Sequence, residues 1–205
     1  MAELVLYHGA PSRSSTVLWM LEEVGQPYRL ELLDLKAGEN RRPAYLAVNP
    51  MGKVPALRHG EAAVTEAAAI CAYLADAFPL RKLAPLPDEP LRGAYLRWLF
   101  FGPGCLEAAM MDRAFPRTGE APRGALGYGD FDTVVAVLAD AVRGRTSIVG
   151  ERFSAADVVI GSALRWGMMF KLVPERPEFV AYTAAMAERP ALRRAMARDE
   201  ALQAA

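Results

Sequence analysis

The chain has 205 residues, 53% apolar and 23% charged, and its 24 basic residues are balanced by 24 acidic ones. Balanced charge excludes the broad field that draws basic proteins to nucleic acid or anionic membrane, and no apolar run approaches the roughly 18 residues of a membrane-spanning helix. Its length suits one large domain or two smaller ones, and its two cysteines, Cys71 and Cys105, form neither a Cys-x-x-Cys nor a Cys/His cluster, which points to buried thiols in a reducing cytoplasm rather than to a metal site.

The first residues pass into a strand pattern without the basic region, apolar core and cleavage site of a signal peptide, so the expected location is cytoplasmic. Glu3 to Tyr7 alternates and reads as a strand. His8-Gly9-Ala10-Pro11 is a turn signal. After Ser12-Arg13-Ser14-Ser15, Val17, Leu18, Leu21 and Val24 recur at helical spacing until Gly25. Gln26-Pro27 leads into a second strand, Tyr28 to Leu33, and strand-helix-strand predicts parallel pairing. A polar loop spans Lys36 to Arg42, followed by a short helical piece at Ala44 to Val48. Two strands then flank His59-Gly60, close enough for an antiparallel hairpin. A helix follows from Glu66 to about Phe78, with Ile70, Tyr73, Leu74 and Ala77 on one face.

Pro79, Pro85, Pro87 and Pro90 suit only an extended linker, and the domain boundary falls there: an α/β unit at 1–78, a linker at 79–90 and a helical region at 91–205. In that region Leu91 to Phe101 is apolar and aromatic, and Gly102-Pro103-Gly104 interrupts before Leu106 to Phe115 resumes. Proline inside a helix costs about 3 kcal/mol or more, so a kink or break is expected. Residues 116–127 read as a loop. Asp130 to Val142 carries an apolar stripe of Phe131, Val134, Val135 and Leu138. Ser154-Ala-Ala-Asp157 is a relative of the capping box, with Asp in the usual Glu place, and Phe153 and Val158 are spaced as a hydrophobic staple. That helix runs to about Phe170. Two more, Glu178 to Glu188 and Ala191 to about Ala201, are separated by Pro190.

Two stretches offer chemistry. Ser12-Arg13-Ser14-Ser15 opens the first helix. Ordinary N-capping accounts for serines there; the functional alternative is that a hydroxyl and the helix dipole face a bound anion such as a thiolate. Lowering a thiol pKa by two units takes about 2.7 kcal/mol. One hydrogen bond to a charged group supplies about 1.5–3 kcal/mol and the dipole about 0.3–1, so one serine and one helix end suffice without a general base. A nucleophilic Ser/His/Asp site is disfavoured, because only His8 and His59 exist and no Gly-x-Ser-x-Gly elbow appears.

The second stretch runs from Asn49 to Ile70. Pro55 lies where a strand begins, a position proline tolerates because it cannot donate to a ladder. The backbone groups of Lys53 and Val54 are then expected to be free for an extended guest, beside a helix mouth at Thr65-Glu66 that favours an anion. The competing reading makes Pro55 a turn proline and Glu66 a favourable first-turn acid. Tyr95, Trp98, Phe100 and Phe101, with Trp166, Met168, Met169 and Phe170, sit at the spacing of core packing, with an apolar pocket as the alternative.

Together these stretches resemble the cytosolic glutathione transferase family, in its bacterial, serine-type branch, over nearly the whole chain. The resemblance is carried by the serine-bearing turn, Leu21-Glu22-Glu23-Val24-Gly25, Asn49-Pro-x-Gly-Lys-Val-Pro-Ala-Leu57, Thr65-Glu66-x-x-Ala69-Ile70 and Phe153-Ser-Ala-Ala-Asp157, in that order around a proline linker. It implies a thioredoxin-like α/β N-terminal domain followed by an all-α C-terminal domain, a homodimer, a cis Pro55, glutathione as co-substrate without a metal, and a role in detoxification. It places Ser12 at the glutathione sulfur, with Tyr7 as the rival and Ser14 and Ser15 as further candidates. The glutathione-binding set is Ser12, Arg13, Lys36, Lys53, Val54, Pro55, Glu66 and Ala67. Within it the Val54 backbone meets the cysteinyl part, Lys53 and Lys36 the glycine carboxylate, and Glu66 the γ-glutamyl ammonium. Ala67 departs from the family's usual serine, which removes a hydroxyl from the γ-glutamyl carboxylate while leaving a backbone N–H. The implied reaction is attack of the glutathione thiolate on a small hydrophobic electrophile, held by residues around Gly9–Pro11, Trp98–Gly104 and Trp166–Phe170. The same scaffold also fits a glutathione-dependent reductase or isomerase, or a non-catalytic binding or assembly protein.

Overall fold

A computed structural model describes residues 2–119 and 121–204 of the chain. Four strands form one mixed sheet: β1 (Leu4–His8), β2 (Tyr28–Leu32), β3 (Ala56–His59) and β4 (Ala62–Thr65), in the order β2-β1-β3-β4. β1 and β2 pair parallel, as the βαβ pattern predicts, and β3 and β4 form the antiparallel hairpin around Gly60. β1 is central and hydrophobic without alternation, with Leu4, Val5 and Leu6 all buried. Three helices belong to this part: α1 (Ser14–Val24), the short α2 (Pro43–Leu46) and α3 (Ala67–Ala77). α1 buries Val17, Leu18, Leu21 and Val24, the residues whose spacing marks it as a helix, and stops where Gly25 takes a left-handed conformation and donates to the Leu21 carbonyl. This is the thioredoxin-like arrangement the motifs imply, followed by helices alone.

Those helices are α4 (Arg92–Phe101), α5 (Ala108–Ala114), α6 (Phe131–Val142), α7 (Ala155–Met169), α8 (Pro177–Ala187) and α9 (Pro190–Ala204). By its contacts the chain divides into two compact units, Met1–Arg81 with Arg189–Ala205, and Lys82–Glu188. The sequence pattern assigns α9 to the helical region, and it is helical, but it packs on α1. The reason lies in its residues and the one before it: Leu192 and Ala195 are buried, while Arg189, just ahead of the helix, and Arg194 bind the carboxylates of Glu23 and Glu22 on α1.

Within the second unit the expected break at Gly102-Pro103-Gly104 is a π-helical segment, Gly102–Glu107, that carries α4 into α5. Pro103 lies within it, and its missing N–H interrupts the regular ladder that α4 would otherwise continue. Gly102 also answers a packing need, since a Cβ there would lie 2.7 Å from Val159 Cγ1 of α7. α7 starts in the capping box foreseen from Ser154 and Asp157. The Asp157 carboxylate accepts from Ile148 N, Ser154 N, Ser154 Oγ and Tyr182 Oη at 2.7–3.0 Å. Burial pushes its pKa above the ordinary carboxylate range, against these four donors.

Of the aromatic residues weighed as core or pocket, Tyr95 and Trp98 are core, whereas Phe100, Met169 and Phe170 are exposed. Cys71 is buried, and burial pushes its thiol pKa far up, the state of an inert packing residue. Among the described residues there is no helix long and apolar enough to cross a membrane, and no group of three or more metal-ligating side chains.

Candidate active site

The register of the sheet brings the two chemical stretches together. Tyr7 of β1 faces Ala56 at the start of β3, and Ala56 faces Thr65 at the end of β4. His8 faces Leu32 at the end of β2. Four segments therefore leave or enter the sheet at one end: 9–13 before α1, 33–39 after β2, 49–55 before β3, and 66–67 at the start of α3. Ser12, Arg13, Lys36, Lys53, Val54, Pro55, Glu66 and Ala67 all lie on these segments.

Ser12 is half-buried at the mouth of α1, and its Oγ accepts from Ser14 N at 3.1 Å and lies 2.7 Å from Ser14 Oγ. Its carbonyl takes the first bond of the helix, from Ser15 N at 3.1 Å. Ser14 is fully buried, with Gly9 N donating to its Oγ at 3.3 Å, so its hydroxyl does not meet a ligand from solvent. Arg13 follows Ser12 and is exposed at the helix start. Tyr7, the rival for the sulfur, is half-buried and tilts its ring against Tyr45, with centroids 5.5 Å apart.

The 49–55 segment is held from behind. Asn49 is buried, and its Nδ2 donates to the Lys53 carbonyl at 2.7 Å, while Tyr45 Oη donates to the same oxygen at 2.6 Å. The Lys53 carbonyl is thus not free, contrary to the expectation drawn from Pro55. A proline removes its own N–H from the ladder but says nothing of which groups take a carbonyl two residues earlier. The Val54 N–H and C=O, in contrast, have no partner among the described residues. The Val54–Pro55 bond is cis, as the family resemblance implies, and so is Ala10–Pro11. Gly52 turns the loop at φ +58°, and its carbonyl accepts from Asn40 Nδ2 at 2.8 Å. Burial pushes the Tyr45 phenol up to about 12, so it stays a neutral donor at physiological pH.

Lys53 and Lys36 are exposed cations on neighbouring loops, the second in a turn whose N–H groups of Lys36 and Ala37 bond Asp34 Oδ1. Glu66 is exposed and takes φ +68°, a conformation rare for a residue with a Cβ. Such outliers persist where surrounding structure fixes them and concentrate at ligand clamps. Its carbonyl accepts from Ile70 N at 2.9 Å, and Ala67 opens α3 with its N–H in the unsatisfied first turn.

Three supporting groups escaped the sequence reading. Tyr45 and Asn49 buttress Lys53; Asn49 stood in the recognised motif, but nothing in the spacing tells a buttress from a turn residue. The third is the buried His8, whose Nδ1 lies 2.9 Å from Ser14 Oγ and whose Nε2 lies 2.9 Å from Asp199 Oδ1 of α9. No local pattern could pair positions so distant in the chain.

Comparison with known proteins identifies the family. The family model "Glutathione S-transferase, N-terminal domain" matches residues 12–77, and "Glutathione S-transferase, C-terminal domain" matches residues 130–190. The chain therefore belongs to the glutathione S-transferase family. Glutathione S-transferase GstA of Escherichia coli O157:H7 is 31% identical over 194 residues, covering 93% of this chain and 95% of that protein. Among solved structures, a glutathione transferase from Methylococcus capsulatus strain Bath superposes with a TM-score of 0.81 at 27% identity, over 96% of this chain and 98% of that one. A sphingomonad glutathione S-transferase complexed with glutathione superposes with a TM-score of 0.78 at 27% identity, with the same coverage of each chain.

Proposed function

We propose that the chain is a glutathione-dependent transferase whose domain at 1–78 binds glutathione and whose Ser12 stabilises the thiolate for attack on a small hydrophobic electrophile. The observation that carries this reading is the convergence, at one end of the sheet, of the Ser12 hydroxyl at a helix mouth, the unpartnered Val54 backbone groups, and Glu66-Ala67 at a second helix mouth. Each matches one part of the tripeptide. Val54 N–H and C=O suit the extended cysteinyl backbone, Glu66 the γ-glutamyl ammonium, the Ala67 N–H the adjoining carboxylate, and Lys53 and Lys36, with Arg13 nearby, the glycine carboxylate. Ser12 contributes a hydrogen bond to sulfur, and the α1 N-terminus a favourable potential.

The small hydrophobic electrophile is what the family resemblance implies. A serine at position 12 offers no thiol for a mixed disulfide, which favours transfer over reduction. The family places such enzymes as cytoplasmic homodimers acting in detoxification, and the same assignment is proposed for this chain.

The experiment is Ser12→Ala. Activity toward a chromogenic aryl halide should appear at a higher pH than in the wild type, with an unchanged thermal melt. A variant whose pH profile overlays the wild type would remove Ser12 from the thiolate. The missing hydroxyl at Ala67 favours one competing reading, a scaffold that no longer catalyses. Calorimetric titration with glutathione separates the two: binding in the micromolar to submillimolar range supports the enzyme, and no heat up to millimolar ligand supports the other.

A further inference from the structure

His8 ends β1 with its imidazole fully buried, and two polar groups meet it. Nδ1 lies 2.9 Å from Ser14 Oγ, which lies 2.7 Å from Ser12 Oγ. Nε2 lies 2.9 Å from Asp199 Oδ1, and neither of these two buried atoms has a well-aligned hydrogen bond among the described residues. Once the imidazole is protonated, the pair gains a charge–charge attraction that depends on separation, 2.9 Å here, more than on alignment. Ser12, Ser14, His8 and Asp199 thus form one line of contacts at 2.7–2.9 Å from the half-exposed mouth of α1 to α9.

The protons on that line have a direction. The Asp199 carboxylate beside Nε2 favours the ring proton on that nitrogen electrostatically, which leaves Nδ1 bare in the neutral imidazole. Ser14 then donates to Nδ1 and accepts from Ser12, and its Oγ also receives the Gly9 N–H. In this state the Ser12 proton points inward, and its oxygen faces the site as an acceptor. That orientation receives a thiol S–H rather than stabilising a thiolate.

We propose that the buried His8–Asp199 pair takes the thiol proton of bound glutathione through Ser12 and Ser14. The proposal rests on Ser12 being the sulfur ligand. The step balances within the line. The S–H bond breaks as its proton passes to Ser12 Oγ; the Ser12 proton passes to Ser14 Oγ, and the Ser14 proton to His8 Nδ1. The products are a thiolate and an imidazolium beside the Asp199 carboxylate, with every hydrogen bond reversed. Nδ1–H now donates to Ser14, Ser14 to Ser12, and Ser12 outward to the thiolate. One shift of protons both generates the nucleophile and turns the Ser12 donor toward it.

The carboxylates of α1 and β2 and the histidine of β3 are engaged elsewhere. On α1, Glu22 is held by Arg194 and Arg198, and Glu23 by Arg189. On β2, Glu31 is held by Arg29. On β3, His59 lies opposite Leu4 at the far end of β1 and bonds Tyr73. Asp199 of α9 is the acid that faces the imidazole. His8 and Asp199 act through the serines and never touch the substrate, so they are positioning residues with a proton to hold.

The test follows the proton rather than turnover. Thiolate of bound glutathione is read by ultraviolet absorbance, and proton release by calorimetry in buffers of different ionisation enthalpy, on the full chain. The wild type should form thiolate near neutral pH with clearly less than one proton released per thiolate. Asp199→Asn, at a partly exposed helix position, should raise the pH midpoint of the thiolate by about one unit, a tenfold lower thiolate-to-thiol ratio at fixed pH. It should also bring proton release to about one per thiolate. Ser14→Ala, which cuts the line, should do the same. In the Ser12→Ala background Asp199→Asn should have no further effect, which a merely structural role would not predict. A full proton released by the wild type, or an Asp199→Asn midpoint equal to that of the wild type, overturns the relay. If Ser12→Ala raises the midpoint and Asp199→Asn does not, the relay alone falls; if Ser12→Ala leaves it unmoved, the assignment of Ser12 falls and the relay with it.

Discussion

Arg189, the residue before α9, donates from Nε and Nη2 to the two carboxylate oxygens of Glu23 on α1, at 2.6 and 2.7 Å. Glu23 is only 7% exposed and also accepts from Trp19 Nε1 at 2.9 Å. A two-pronged guanidinium-carboxylate pair of this kind fixes orientation as well as charge. Removing the arginine leaves a largely buried carboxylate without its counter-ion, a loss that exceeds the worth of the pair itself. Arg189→Ala should lower stability by about 2 kcal/mol, read as a fall of roughly 4–8 °C in Tm. An unchanged melt would show that water replaces the arginine without cost.

Tyr45 supports the site from below, and its effect carries a pH signature. Its phenol is raised by burial from an ordinary 10.0 to about 12. A group whose pKa is higher in the folded state contributes fully below the unfolded value and loses that contribution as pH rises through the folded one. Tyr45→Phe should therefore cost about 1 kcal/mol near pH 8, through the lost bond to the Lys53 carbonyl. The difference from the wild type should shrink as pH climbs past 10 toward 12. Urea unfolding of both proteins across that range checks it, and a gap constant with pH would place the cost in packing instead.

The parts legible in the sequence were those with a local cause. Val17, Leu18, Leu21 and Val24 mark α1 because one helix face must be apolar, and the βαβ rule turns that helix into a parallel β1–β2 pair. Ser154 and Asp157 mark the start of α7 because a cap satisfies its own neighbours. The site segments were found the same way, each as a motif, and only the register Tyr7–Ala56–Thr65 shows why they meet. What stayed hidden was non-local. The Lys53 carbonyl is claimed by Tyr45 and Asn49, and α9 folds back on α1 through Glu22 and Glu23. Asp199 reaches His8 across almost the entire chain. Spacing within a window carries no trace of such pairs.

Asp157 gathers four donors in the second unit, two of them backbone N–H groups. Asp157→Asn keeps the shape but replaces one acceptor oxygen with a donor, so at least Ser154 or Ile148 and Tyr182 must face an N–H. Buried donors left without an acceptor cost about 1–3 kcal/mol each. The variant should unfold at lower denaturant by about 3 kcal/mol or more while its glutathione affinity, measured on the folded fraction, stays within twofold. A large change in affinity would mean that Asp157 reaches beyond its own unit.

Ala67 offers a gain rather than a loss. It opens α3 directly after Glu66, whose φ of +68° aims the chain into the helix, and it is half-buried with its N–H unsatisfied by the helix. A serine there adds one hydroxyl at a position where a carboxylate is proposed to sit, without changing the backbone the site already fixes. A hydrogen bond to a charged group contributes about 1.5–3 kcal/mol, which corresponds to about 10- to 150-fold in Kd. Ala67→Ser should therefore tighten glutathione binding by about tenfold or more in calorimetric titration, while Ala67→Gly leaves it within a few-fold. The comparison isolates the hydroxyl, because both variants keep the N–H. An Ala67→Ser variant that binds no better would move the γ-glutamyl carboxylate away from the mouth of α3, and Glu66 would lose its proposed partner with it.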